Sequence, residues 1–289
     1  MDAFTRLTAS FLMLLATLYF NVASAQLSVT LVEKQGGTIA KRLQQVMAEL
    51  EPGADIDIAS PEQAKNSKNY LVLLGQPDPA AVYSNARGVV SAFISEARAQ
   101  QVKANAHVFV DPPLSRQIRL ADSLIPGIKP LGLIVSTQQN KAKLAQTLDA
   151  SLFEKLNLVS LEQEGGLNQA LFKALKNSRA LVGVYDTDIY NPTNIKNILI
   201  TSYRQNKVLI GPSRAYLKAG SYATTFSDLN DIARRILELI KDNQSTGRWS
   251  AQGHNPYFSI LINKQVARSL NLSLPDVEAV QKMLEEAEK

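Results

Sequence analysis

The chain has 289 residues, 45% of them hydrophobic, and Lys+Arg 31 against Asp+Glu 26 gives a net charge of +5. That composition supports one large core or two modest ones. The basic excess is dispersed in pairs such as Lys141/Lys143 and Arg234/Arg235 rather than gathered into a run interleaved with aromatics, which argues against a nucleic-acid partner. There is no cysteine, which excludes disulfides, thiolate metal sites and a lipid-bearing cysteine.

Residues 7–19, "LTASFLMLLATLY", are uncharged and mostly apolar, and "NVASA" follows with Ala23 and Ala25 in a small-x-small pattern. The stretch is shorter than the ~20 residues of a spanning helix. It therefore reads as a signal peptide over 1–25, cleaved after Ala25, rather than a retained anchor. The expected location is the periplasm, as an unlipidated protein starting at Gln26.

From there short apolar strands alternate with helical patterns. "LSVTLVE" (27–33) alternates like a strand. Gly36-Gly37-Thr38 then opens "IAKRLQQVMAEL", with Ile39, Leu43, Val46, Met47 and Leu50 on one helical face, stopped by Pro52-Gly53. "DIDIA" (55–59) is a second strand, and "NYLVLLGQ" (69–76) a third, apolar enough to be buried on both faces of a parallel sheet. A helix is expected over about 79–101, then a strand at "AHVFVD" (106–111).

After Pro126, Gly127 and Pro130 the alternation restarts with "PLGLIVS", "LNLVSLE", "RALVGVYD" and "KVLIG" as strands, separated by helical stretches. "SYATTF" and "YFSILIN" are strand candidates flanking the helix "LNDIARRILELIKDN", and two more helical stretches end the chain. Strands alternating with helices indicate parallel βαβ units. The expected fold class is α/β, with two Rossmann-like lobes rather than one open sheet. The lobes divide as 26–130 and 131–225, with 226–289 crossing back between them and closing the fold.

The chemistry on offer is sparse. Gly211-Pro-Ser213-Arg-Ala215 follows a strand and is followed by Asp228, Asp231 and His254, the chain order of an α/β-hydrolase. Ala215 stands where the sharp turn of such a nucleophile wants glycine, so a serine hydrolase using Ser213 ranks third among the readings. His107 and His254 have no local ligand spacing, and the stretch starting at Asp186 fails as a calcium loop because its sixth and twelfth positions are Asn191 and Asn197. No metal and no cofactor is expected. The remaining polar residues share a place just beyond strand ends, where open parallel sheets bind ligands. Asp111 and Asp188 are among them, and the candidates for ligand contact are Thr38, Gln76, Ser136, Thr137, Asp186, Tyr190, Ser213, Arg214 and Tyr216. Hydroxyls with Arg214 suit a carboxylate, Asp186 suits an ammonium, and a tyrosine can form an apolar wall.

Three longer segments carry a resemblance: "LADSLIPGIKPLGLIVS" (120–136), "ILITSYRQNKVLIGPSRAYLKAGSYATTFS" (198–227) and "YFSILINKQVARSLNLSLP" (257–275). With them, the part of the chain from 108 onward resembles the ABC-transporter substrate-binding proteins of the aromatic amino acid-binding type. The opening "EKQGGTIAKRL" departs from that family, and the first lobe is short. The resemblance implies two Rossmann-like lobes closing on a ligand, with the stretch at Ser213 as pocket and 220–227 and 257–263 as crossings between lobes. It implies an importer component that binds a small polar or amphipathic solute, such as an amino acid, without turnover. Its expected partners are that ligand and an inner-membrane ABC permease, with the chain a monomer. The second reading is a sensory or interaction protein on the same fold, partnered by a membrane sensor.

Overall fold

The computed structural model describes residues 26–33, 37–75, 77–250 and 253–289. The signal-peptide reading at 1–25, Gly36 and the candidate Gln76 lie outside the described residues.

Eleven strands fall in two sheets among the described residues. The first sheet holds β1 (Ser28–Val32), β2 (Asp55–Ala59), β3 (Tyr70–Leu74), β4 (Gly88–Ile94) and β5 (Ala106–Phe109), in the order β2-β1-β3-β4-β5 and wholly parallel. Its helices are α1 (Ile39–Leu50) and the short α2 (Pro61–Ala64) and α3 (Glu96–Ala99). Then come α4 (Leu114–Leu124), β6 (Leu131–Val135), α5 (Gln138–Thr147), α6 (Ala150–Phe153), β7 (Leu156–Ser160), α7 (Leu161–Glu164) and α8 (Leu167–Lys176). The chain continues through β8 (Leu181–Val182), α9 (Ile195–Arg204), β9 (Leu209–Ile210), α10 (Arg214–Ala219), β10 (Ala223–Phe226) and α11 (Leu229–Thr246). It closes with β11 (Ser259–Ile262), α12 (Lys264–Ser269) and α13 (Val277–Glu286). The second sheet runs β11-β10-β9-β8-β6-β7, parallel except for β11, which is antiparallel to β10. Two α/β lobes built on parallel strands result, as the alternation in the sequence implies. None of the described helices is long and apolar enough to cross a membrane.

Two elements differ from the sequence reading. The helix expected over 79–101 is instead β4 followed by the single turn α3. The β-branched Val89 and Val90 are buried between β3 and β5, and a seven-residue run buried at all but one position gives a helix no polar face to offer solvent. Gly88, the first residue of the strand, leaves room for Trp249 to pack on it: an added Cβ would stand 2.3 Å from the indole. The second difference concerns α4, which belongs by position to the segment 26–130. Its buried Ile118, Leu120, Ala121 and Leu124 join the core of the second lobe. Burying the three large side chains contributes about 1.5–3 kcal/mol each, so core membership rather than the Pro/Gly loop at 126–130 fixes where the lobes divide.

The chain consequently passes between lobes at three places. The first is 110–113, between β5 and α4. The second follows β10 and leads into α11, whose Ile232, Ile236, Leu239 and Ile240 return to the first core. Asp228 opens that helix with a capping box shared with Asp231, and Gly247 closes it in the left-handed conformation at φ 69°. The third lies between Trp249 and β11, where Gly253 bridges to Val108 in parallel register. The strands at 223–226 and 259–262, within the stretches expected as crossings, are the last two strands on one side of the second sheet, with β11 at its edge.

Polar side chains lash the crossings together. Buried Gln117 donates to the Gly211 carbonyl at 2.7 Å and accepts from Thr225 N and Oγ1. Arg116, 2% exposed, forms a fork with Glu288 at 2.6 Å through Nε and Nη2, and Nη2 also donates to the Asn255 carbonyl. Its guanidinium lies 3.7 Å from the centre of the Phe258 ring. Ser227 Oγ donates to the Tyr257 carbonyl at 2.6 Å, joining the second crossing to the third.

Candidate functional site

The strand ends of both sheets face a cleft that the crossings divide into two hollows. One has a volume of about 550 Å³ and the other about 760 Å³, and Pro112 and Tyr185 line both. Tyr185 is exposed and Pro112 sits on the first crossing, so the two hollows adjoin at these residues.

The smaller hollow is acidic. Glu96 and Asp111 enter it from the first lobe, Asp186 and Asp188 from the second, against the single lysine Lys143 and the imidazole of His254. Ser95 caps α3 and thereby sets Glu96 at its first position, whose backbone N–H donates to both oxygens of Asp111, at 3.1 and 3.3 Å. Burial pushes the Asp111 carboxyl up to about 6, in spite of those backbone hydrogen bonds. Across the cleft Asp186 accepts from Ser136 N at 3.1 Å and from Asp188 N at 3.0 Å, so its carboxylate is fixed at the end of β6. His254 stands edge-on to Phe109, with centroids 5.2 Å apart, and its Nε2 is 3.8 Å from Glu96 Oε2. Burial pulls the imidazole below its ordinary value, with Glu96 acting in the opposite sense.

The larger hollow is basic and partly aromatic. Arg42 from α1 and Arg214 from α10 line it with Ser213, Ser227, Phe93 and Phe226, against the single carboxylate of Asp228. The Arg214 guanidinium lies 5.0 Å from the centre of the Phe226 ring. Phe93 sits at φ 58°, where the register between β4 and β5 shifts. A bulky side chain in the left-handed region costs of order 1–3 kcal/mol, and such strain concentrates at ligand clamps.

The candidate residues from the sequence separate into three groups. Ser136 and Asp186 line the acidic hollow, and Ser213 and Arg214 line the basic one. Thr38 and Thr137 sit at helix starts. Thr137 Oγ1 caps α5 by accepting from Asn140 N at 3.1 Å, while Thr38 is exposed, with its side chain making no cap bond to α1. Tyr190 and Tyr216, expected as an aromatic wall, are instead buried in the second core at 7% and 5% exposure. Their rings meet edge to face at 5.9 Å, and their hydroxyls donate to the Val182 and Asn191 carbonyls. Burial raises both phenols, that of Tyr216 to about 12. The residues of the hydrolase reading are also apart in role: Asp228 and Asp231 cap α11 reciprocally, and His254 faces Glu96 in the hollow that Ser213 does not line.

Glu96, Phe93, Arg42 and Tyr185 carried no signal in the sequence. The strand end at Ile94 was hidden by the helix read over 79–101, and with it Phe93 and Glu96.

No protein-family model matches the chain, and no curated protein matches it. Solved structures do. The ligand-free, open structure of a substrate-binding protein with adhesive properties from Clostridium difficile aligns with TM-score 0.64 at 10% identity, over 87% of this chain and 97% of that one. An ABC domain in complex with L-Trp from Streptococcus pneumonia aligns with TM-score 0.52 at 15% identity, over 89% and 98%. A periplasmic ribose ABC transporter from Conexibacter woesei gives 0.51 at 11% identity, over 86% and 95%. At such identities the likeness is one of fold: the chain has the two-sheet α/β architecture of the periplasmic binding protein-like solute-binding proteins.

Proposed function

We propose that this chain is a periplasmic solute-binding protein of an ABC importer, which holds a small dipolar solute between its lobes and does not transform it. The observation that carries the reading is the polarity of the cleft. An acidic hollow and a basic, aromatic one adjoin at Pro112 and Tyr185, and each draws residues from both lobes. A ligand with an ammonium toward Asp186 and a carboxylate toward Arg214 and Ser213 would satisfy both at once. Contacts from both lobes favour a closed form, and a membrane permease can recognise closure. Amino acids fit this description, and Phe93 and Phe226 give an apolar side chain a surface. The L-Trp complex of one protein of the same fold, and the ribose transport for which another is named, support the use of this cleft for a solute.

The test is a thermal-shift screen of the full chain against amino acids, amines, carboxylates and sugars. A ligand at 100 times its Kd adds about 2.7 kcal/mol to stability. A selective rise for zwitterions, lost in Asp186→Asn, is the expected result. A rise for neutral sugars only, or none with any compound on well-folded protein, would overturn the assignment.

A further inference from the structure

We propose that Glu96, Asp111 and His254 form a binding site for a divalent first-row transition-metal ion, Zn²⁺ being the best match, at the wall of the acidic hollow.

Three segments far apart in the chain converge here. Glu96 is the first residue of α3, Asp111 follows β5 on the first crossing, and His254 follows the Gly253 bridge on the third. One ligand atom from each lies within 4.8 Å of the other two, and His254 Nε2 to Glu96 Oε2 is 3.8 Å. Ligands held at ~2.1 Å around a tetrahedral ion stand about 3.4 Å apart, so side-chain rotation alone brings the three to an ion.

Two further features favour occupancy. The first is charge: two carboxylates face each other, yet among the described residues the only ion-pair partner of Glu96 is His254, and Asp111 has none. Arg116, whose charge reaches His254, is already paired with Glu288. A divalent cation relieves the repulsion that no lysine or arginine relieves. The second is preorganisation. Both oxygens of Asp111 are oriented by the Glu96 backbone N–H and keep lone pairs for an ion, while Phe109 holds the imidazole edge-on.

The donor set selects the ion. One imidazole with two carboxylates suits Zn²⁺, Co²⁺ or Mn²⁺ better than Ca²⁺ or Mg²⁺, which take oxygen ligands. Three protein ligands leave a tetrahedral ion a position for a donor from the cleft.

The experiment is calorimetric titration of Zn²⁺ into chelator-treated full chain, with Ca²⁺ and Mg²⁺ in parallel and Co²⁺ followed by its visible absorption. We expect one saturable Zn²⁺ site, tighter than either alkaline-earth ion. His254→Gln and Asp111→Asn should each weaken it by ~10-fold or more, with the metal-free melting temperature unchanged. If His254→Gln does not fold, Glu96→Gln, at an exposed position, carries the same comparison. An absence of saturable Zn²⁺ binding, Ca²⁺ binding more tightly than Zn²⁺, or a Zn²⁺ site indifferent to both Glu96→Gln and Asp111→Asn would each overturn the proposal. The titration contains no organic solute, so its failure leaves the solute-binding reading standing, and a flat solute screen leaves the metal site standing.

Discussion

Replacing Arg116 with methionine keeps the length of the side chain and removes its charge and all its hydrogen bonds. The wild-type guanidinium is 2% exposed, forks onto Glu288, donates to the Asn255 carbonyl and stacks on Phe258. Removing one partner of a buried pair costs about 3–5 kcal/mol, because the other charge is left without compensation. The Glu288 side chain is 22% exposed and can turn partly to water, so the lower end applies, about 3 kcal/mol. Methionine retains the apolar contact with Phe258, which keeps the loss from growing further. At roughly 2–4 °C per kcal/mol the melting temperature should fall by about 6–12 °C. Circular dichroism melts of the wild type, Arg116→Met, Glu288→Gln and the double variant give the measurement. Coupling of the two substitutions should exceed 1 kcal/mol, since they delete one shared interaction. A fall under 2 °C in Arg116→Met, or additive losses in the double variant, would mean that the fork behaves as a surface pair and does not hold the third crossing.

Three other substitutions test separate parts of the structure. Gly132→Ala should destabilise by about 1–3 kcal/mol, because the new Cβ would stand 2.5 Å from the Ala174 carbonyl oxygen and push α8 off β6; Gly53→Ala, with nothing within 4 Å, serves as the neutral control in the same chemical melts. Asp122 lies beside Lys155 and Arg179; burial acts to raise its carboxyl, but the hydrogen bonds and charges of those two residues outweigh it and hold it low. A depressed carboxyl contributes stability that is complete above the unfolded value of ~3.9 and is lost as pH falls through the folded value, so Asp122→Asn should be less stable at neutral pH and lose less on acidification, and parallel curves for the two proteins would refute this. Arg214→Met should weaken a carboxylate-bearing solute about tenfold while leaving its amine analogue unaffected, as read by calorimetry, and equal losses for both would place Arg214 outside the contact.

Much of the architecture is legible in the sequence because it depends on local patterns. The apolar runs at 70–74 and 131–135 are buried along their whole length, and the helices at 39–50 and 229–246 bury one periodic face each. What escapes the sequence is what depends on distant partners. Strand β4 looks helical until β3 and β5 flank it, and α4 looks like the end of the first lobe until Gln117 finds Gly211 and Thr225. The same limit applies to the cleft. Ser136, Asp186, Ser213 and Arg214 follow strands with clear patterns and do line it. Tyr190 and Tyr216 also follow strands, but a tyrosine's ring is apolar enough to be drawn into the core while its hydroxyl takes a nearby carbonyl.

The polarity of the cleft follows from how the three crossings are threaded. The first crossing carries Asp111 past the end of β5, and the third returns beside the same strand and brings His254 to it, so one wall of the cleft gathers groups from both passes. The second crossing leaves β10 on the other side, where Phe226 and Ser227 meet the start of α10 and the face of α1 that carries Arg42. The carboxylates and the guanidinia are thereby kept apart by Pro112 and Tyr185 instead of neutralising one another in ion pairs. Among the described residues Asp186, Asp188, Asp111 and Arg214 have no ion-pair partner within 4 Å. Charges that a fold leaves unpaired on facing walls attract oppositely charged groups from solution, and lobes that share such a ligand gain from closing on it. The crossings therefore both join the lobes and separate the charges that a dipolar solute would bridge.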